Sequence, residues 1–162
     1  MRRLLMMLGG IVAGVMCVVG SHKLYANPDL GISPIYTDVE TGLAIHGYDP
    51  VAYFKLSEGD EAIPGSPDYE YEWNGALWRF ASMENLQLFR DNPQYYAPQY
   101  GGYCAYAVSR GYTAPIEPNA WAVESGKLYL NYNKPVRILW NLDRTGNIDK
   151  ANVNWPGLCE GC

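Results

Sequence analysis

The stretch from Tyr69 to Ser82, YEYEWNGALWRFAS, carries the clearest structural signal in this chain of 162 residues. It sets the pair Asn74-Gly75 between two runs that contain several aromatic residues. Asn-Gly is a preferred centre for a two-residue hairpin turn, because both positions need a positive φ. The stretch therefore predicts an antiparallel hairpin between residues 69–73 and 76–81.

A second hairpin is predicted further along the chain. Residues 121–124 and 127–132 are rich in apolar and aromatic side chains, and Ser125-Gly126 separates them. The spacing is that of a short hairpin connection.

Short helices are predicted between and after the hairpins. Ser82 is a typical N-cap for a helix that runs to about Asp91. Residues 135–142 begin with proline and carry an amphipathic pattern. Residues 145–153 form the last predicted helix, which Pro156 is expected to end.

Three further segments are less regular. Residues 43–45 and 48–54 are β-prone, the second with a turn signal at Asp49-Pro50. Residues 103–108 fit either a strand or a buried helix. Antiparallel hairpins interleaved with short helices indicate an α+β fold in a small single domain.

The charge balance restricts the kinds of partner. Twelve Lys and Arg face seventeen Asp and Glu, for a formal charge of −5. Removing residues 1–26 takes away Arg2, Arg3 and Lys23, leaves nine positive groups and lowers the charge to −8. An acidic body repels phosphate backbones, so no nucleic-acid partner is expected. Fourteen Tyr, five Trp and three Phe indicate a folded body.

The N-terminus predicts export. Arg2 and Arg3 precede an uncharged run from Leu4 to Gly20, and the segment fits either a cleaved signal peptide or a retained membrane anchor. Both alternatives place the body outside the cytoplasm, in the periplasm or the extracellular space. Any membrane contact is expected only through this segment, and residues 27–42 are interpreted as a linker.

The candidate site residues are three cysteines and one histidine. Cys104 follows a Gly-Gly pair and is either a reactive or metal-binding thiol or a small buried side chain. Cys159 and Cys162 form a terminal CxxC, which suits chelation of a soft metal or a small disulfide. His46 is a possible fourth metal ligand or, more simply, a structural histidine.

Tyrosines are concentrated in one segment. Six of them lie between Tyr95 and Tyr112. Tyrosine combines apolar area with a polar end, which suits either a recognition surface or a half-buried part of the core.

Several of these motifs also occur, in this order, in a known family. They are GYDPVAYF at 47–54, WNGALWRFAS at 73–82, FRDNPQYYAPQYGG at 89–102 and WAVESGKLYLN at 121–131. Together they resemble the exported, stand-alone branch of the YHS-domain family. The resemblance covers residues 43–157 as a YHS-like domain, followed by the CxxC tail at 158–162. It implies a binding module, with a soft metal such as copper as the presumed ligand.

The chain departs from the metal-binding members of that family at three positions. Those members carry cysteines where this chain has Ala52, Ala81 and Asn85. A soft metal needs thiolate or thioether ligands, so the family's presumed site does not transfer to these residues.

The sequence thus predicts an exported binding module in metal or redox homeostasis, with soft-metal contact through Cys104 and the CxxC, rather than an enzyme. Two alternatives remain. One is a thiol-based redox protein in which Cys104 attacks and the CxxC resolves. The other is a domain that binds an unidentified protein partner through its tyrosine-rich face, without a metal.

Overall fold

The computed structural model describes residues 32–159. This part of the chain is a mixed α/β body with two small antiparallel sheets and several helices. No helix in it is long and apolar enough to cross a membrane. The predicted leader at 1–26 lies outside the described residues, as does Cys162.

The first hairpin is confirmed. Strand β1 (Ser66–Trp73) pairs with β2 (Ala76–Phe80) around the Asn74-Gly75 turn, where both residues have positive φ. β1 begins earlier than predicted because an irregularity between Ser66 and Glu70 lets the strand continue across Pro67. One face of β2 is buried, while the other is half-buried.

The second hairpin is also confirmed, with strands β3 (Glu117–Glu124) and β4 (Lys127–Asn131). Its apolar residues are buried on both faces. Trp121, Leu128 and Leu130 contact one part of the core, whereas Ala122 and Tyr129 contact another.

Five α-helices surround the hairpins: α1 (Met83–Asp91), α2 (Pro93–Tyr96), α3 (Ala105–Ser109), α4 (Lys134–Asn141) and α5 (Arg144–Leu158). Short 3-10 turns occupy Ile45–Gly47, Ala52–Lys55 and Gln99–Gly102. The open choice at 103–108 is settled in favour of a helix, α3.

Side-chain caps define the starts of three helices. Ser82 accepts the backbone N–H of Asn85 at 3.2 Å, as the sequence predicts for α1. Asn133 accepts the N–H of Val136 at 2.9 Å and begins α4. Asp143 accepts the N–H of Gly146 at 3.0 Å and begins α5. Each cap satisfies a donor that the first helical turn leaves without an intrahelical partner.

Three local predictions are wrong. Residues 48–54 form no strand, because the Asp49 carboxylate turns the chain into the 3-10 helix Ala52–Lys55. Residues 43–45 form only isolated bridges before the chain turns at Ile45. Pro156 does not end α5, which continues to Leu158 because Trp155 and Leu158 pack against the core.

The residues predicted as a linker contact the domain from Ser33 onwards, where the backbone carbonyl accepts the Tyr103 hydroxyl at 3.1 Å. Ile35 is buried in the core, and the Tyr36 backbone N–H donates to the Gly101 carbonyl at 2.8 Å. We call residues 33–38 the N-terminal strap. It forms one wall of the candidate site.

Candidate functional site

Cys104 is buried at the start of α3. Its side chain is 1% exposed, and its sulfur accepts the backbone N–H groups of Ala107 at 3.5 Å and Tyr132 at 3.2 Å. Burial raises the pKa of the thiol, and the backbone hydrogen bonds only partly offset that effect. Because the thiolate is the reactive and metal-binding form, this environment disfavours both kinds of chemistry.

A small apolar pocket of about 270 Å³ lies beside Cys104. Tyr106, Tyr112 and Tyr132 contribute to its walls. The Arg110 guanidinium donates to the Tyr106 hydroxyl at 2.9 Å and lies over its ring. The cysteine contributes packing and a helix cap there.

His46 is held by hydrogen bonds on both ring nitrogens. Nδ1 lies 3.0 Å from Asp38 Oδ2, and Nε2 lies 3.1 Å from the carbonyl oxygen of Ile116. The Tyr36 hydroxyl also lies 3.4 Å from Nε2. This clasp holds the strap to the domain and leaves neither nitrogen free for a metal.

The terminal cysteines supply no thiolate within the described residues. Cys159 is buried and disulfide-bonded, and Cys104 is the free cysteine among residues 32–159. No group of three or more His, Cys, Asp or Glu in the same range is arranged to hold a metal ion. Cys104, Cys159 and His46 are therefore not brought together as one site.

Asp49 is a buried polar centre that the sequence reasoning missed. Its Oδ1 accepts the backbone N–H groups of Val51 and Ala52 at 2.8 and 3.1 Å. Its Oδ2 accepts the Ala81 N–H and the Asn85 Nδ2 group, both at 2.7 Å. The turn signal Asp49-Pro50 was the available indication, since a carboxylate there commonly accepts N–H groups further along the chain.

The three positions that the resemblance assigns to metal ligands meet at this carboxylate. Ala52, Ala81 and Asn85 each donate an N–H group to Asp49. They present two methyl groups and one amide, with no thiolate among them. These residues do not fit a soft metal, and the carboxylate is already satisfied by four donors.

A recess lined by several aromatic rings lies elsewhere, between the strap, the first hairpin and α5. It has a volume of about 390 Å³, within the range typical of small-molecule sites. Trp73, Tyr100 and Trp155 provide aromatic surface, and Asn74, Gln94, Gln99 and Asn152 provide carboxamides. We call this recess the aromatic–amide cavity. The lining side chains from residues 32–159 are all uncharged: these seven together with Pro34, Ile35, Ala97, Pro98, Gly101 and Pro156.

Both indoles of the cavity are held in place by neighbouring rings. The Trp73 ring packs edge-on against Phe89 at 5.7 Å, between ring centroids. The Trp155 ring contacts those of Tyr100 and Tyr103 at 6.0 and 5.9 Å. A rigid aromatic surface loses little conformational entropy when it binds a ligand.

The floor of the cavity uses left-handed backbone. Tyr100 has φ of 57° and Gly101 has φ of 60°. A Cβ atom at Gly101 would collide with the carbonyl oxygen of Pro34, so only glycine lets the strap pack this closely. The Tyr100 hydroxyl donates to Asn152 Oδ1 at 3.0 Å and so connects the floor to α5.

The six clustered tyrosines divide among different places. Tyr95 and Tyr96 pack against Phe54, and Tyr100 lines the aromatic–amide cavity. Tyr106 and Tyr112 line the pocket beside Cys104. The segment is thus partly core and partly pocket wall.

The cavity was not predicted, because Trp73, Tyr100 and Trp155 are far apart in sequence. Comparison with family models, curated proteins and solved structures finds no match for this chain. The resemblance to YHS domains therefore stays a prediction from the motifs.

Proposed function

We propose that this protein is a non-catalytic binding module whose ligand occupies the aromatic–amide cavity. The observation that carries the proposal is the cavity's composition. Rigid indole and phenol surfaces stand beside side chains that both donate and accept hydrogen bonds, and none of the described residues that line the cavity is charged. Pockets that combine aromatic walls with a few polar groups are typical binding sites.

Two of the indoles that line the cavity have N–H groups without a protein acceptor among the described residues. The indole N–H groups of Trp78 and Trp121 donate to backbone carbonyls at 3.1 and 3.0 Å. Those of Trp73 and Trp155 donate to no residue between 32 and 159.

The hypotheses of soft-metal binding and of redox chemistry through the cysteines have less support from the geometry. A metal or redox role needs accessible thiolates, whereas Cys104 is buried with a raised pKa and Cys159 is disulfide-bonded. The N-terminal leader still predicts that the module works outside the cytoplasm, where a binding domain meets envelope components or external molecules.

The five tryptophans provide a direct test. We would label the full chain with ¹⁵N and record the indole N–H signals, assigned with single Trp→Phe variants. The probes are cellobiose, N,N′-diacetylchitobiose, a hexaproline peptide and octanoate. We expect at least one probe to move the signals of Trp73 and Trp155 and to leave that of Trp121 unchanged.

The buried tryptophans are the internal control. Trp78, Trp121 and Trp140 lie in the core and report any global change in the fold. The proposal fails if no probe at millimolar concentration moves the two cavity signals, or if all five signals move together. A Tyr112→Ala variant, which alters only the pocket beside Cys104, should bind like the unmodified chain.

A further inference from the structure

The side-chain chemistry of the aromatic–amide cavity restricts its ligand to one class. We propose that the cavity binds a neutral saccharide, one or two pyranose rings in length. This inference rests on the proposed function and specifies its ligand. Three kinds of observation carry it: the carboxamides, the absence of charge along the walls, and the aromatic surfaces.

Carboxamides match hydroxyl groups. Each Asn or Gln offers two N–H donors and a carbonyl acceptor, while each sugar hydroxyl donates one hydrogen bond and accepts others. Asn74 and Gln94 are exposed at the rim, and Gln99 is half-buried in the wall. A proline-rich peptide presents carbonyl acceptors and lacks backbone N–H donors, so the carboxamide oxygens would stay without partners.

The uncharged lining of the cavity disfavours acidic and basic ligands. Among residues 32–159, no Lys, Arg, His, Asp or Glu lines the cavity, so an ionic ligand would lose hydration without gaining an ion pair with this part of the chain. The chain also carries a formal charge of −5, which repels acidic sugars. A neutral ring avoids both costs.

The aromatic surfaces suit the apolar faces of pyranose rings. Such a ring has C–H groups on its faces and hydroxyls around its edge, so it packs against an indole while its edge hydrogen bonds. Trp73 and Trp155 both line the cavity and are both half-buried, with the ring neighbours described above.

The volume fits a short ligand. About 390 Å³ accommodates one or two sugar rings and is too small for a long glycan to be enclosed. We therefore expect the cavity to recognise the end of a chain or a free mono- or disaccharide.

The test measures dissociation constants by isothermal titration of the full chain. The probes are cellobiose, maltose and N,N′-diacetylchitobiose, set against cellobiouronic acid and the hexaproline peptide. We expect at least one neutral disaccharide to bind, and the acidic analogue of the same linkage to bind at least about tenfold more weakly.

Three variants locate the binding. Trp155→Ala removes an aromatic wall and should raise the dissociation constant by about tenfold or more. Asn74→Gly keeps a residue that tolerates the turn's positive φ but removes the carboxamide, and Gln94→Ala removes another. Each of these two should weaken binding about three- to tenfold. Gln87→Ala, an exposed carboxamide on α1 outside the cavity lining, should leave binding unchanged.

The outcomes separate the inference from the proposed function. If the hexaproline peptide moves the indole signals of Trp73 and Trp155 while no sugar binds, the saccharide inference is wrong and the cavity remains the binding site. If a sugar binds equally well to Asn74→Gly, Gln94→Ala and the unmodified chain, the assigned hydrogen bonds are wrong. Because Trp155 contributes to the core, the two carboxamide variants keep the test valid if Trp155→Ala does not fold.

Discussion

The two hairpins have the same number of strands and similar turns, but they are stabilised differently. The β1–β2 hairpin packs one face on the core, and β1 exposes the glutamates of its EYEW pattern. The β3–β4 hairpin lies between two apolar clusters, with Trp121 and Leu130 facing one and Tyr129 facing the other. The alternating pattern of β1 therefore gives a hairpin that is buried on one face. The more continuous apolar runs of β3 and β4 give a hairpin that is buried on both faces.

A buried carboxylate, that of Asp49, supports the first hairpin. Asp49 accepts an N–H from Ala81, directly after β2, and another from Asn85 in α1. The same hairpin presents Trp73 and Asn74 to the aromatic–amide cavity. The first hairpin, which packs only one face on the core, thus leaves its turn available for binding. The second hairpin is buried on both faces and lies between the two apolar clusters.

The largest effect is expected from removing a core side chain of the second hairpin. Leu130 is fully buried, so Leu130→Ala should lower the free energy of unfolding by about 3–4 kcal/mol through lost burial and a cavity. Leu77→Ala, on the half-buried face of β2, should cost about 1 kcal/mol. Urea denaturation of both variants measures the difference, and equal losses would show that both hairpins are buried to the same degree.

The next effect concerns the polar centre beside the first hairpin. Asp49→Asn replaces an acceptor oxygen by an amide that faces N–H donors, so it should cost about 2–3 kcal/mol. Asp68→Asn, at an exposed position in β1, is the matched control and should change stability by less than about 0.5 kcal/mol. Thermal unfolding of the two variants measures this difference. Equal losses of stability would show that Asp49 contributes no more to the fold than the exposed Asp68.

Alkaline pH should weaken the surroundings of the second hairpin. Burial raises the pKa of Tyr53, which packs on Trp121, and that of Tyr100, which packs on Tyr129. Their contribution is complete below the unfolded pKa of about 10 and is lost above it, because the unfolded chain ionises first. Raising the pH from 9 to 11 should lower the free energy of unfolding by about 1 kcal/mol for each of the two phenols.

Urea midpoints at pH 9 and 11 measure this loss. Tyr53→Phe removes an ionising group and should reduce the pH dependence, although it also removes the hydrogen bond to the Pro118 carbonyl. An unchanged slope in that variant would mean that other groups cause the alkaline loss.

The smallest effect is expected at the turn end of the second hairpin. Arg144 binds Glu58 and also Glu124, the last residue of β3, and its hydrogen bond lowers the pKa of Glu58. This stabilisation is present above the unfolded Glu pKa of about 4.3 and is lost as pH falls through the lower folded value. Solvent screening keeps it below about 1 kcal/mol.

Glu58→Gln should remove most of that acid-dependent loss, as measured by urea denaturation at pH 6 and 3. Glu84→Gln is the matched control, because Glu84 pairs with Lys55 on the surface at 3.5 Å. If both variants behave alike, the Arg144 network contributes no more than an ordinary surface pair.

Local patterns were sufficient for the hairpins and for most helix starts. Asn74-Gly75 and Ser82 are decided by backbone conformation and capping, which depend on near neighbours in sequence. The same reasoning was wrong for residues 48–54, where β-prone side chains were overruled by the Asp49 carboxylate and its distant donors Ala81 and Asn85.

The chemistry of single residues was harder to predict than the fold. A cysteine after Gly-Gly is compatible with reactivity or burial, and only packing shows that Cys104 caps α3 in an apolar setting. His46 gave no local sign of its partners, because Asp38 and the Ile116 carbonyl come from different segments.

The sequence by itself determined the α+β composition, both hairpin turns and the lack of cysteines at positions 52, 81 and 85, since these follow from residue identity and local conformation. Tertiary structure alone decided that Asp49 joins those three positions, that the strap packs on Gly101, and that Trp73, Tyr100 and Trp155 enclose one cavity. Such sites depend on contacts between segments remote in sequence, and no local pattern records which remote segments will meet.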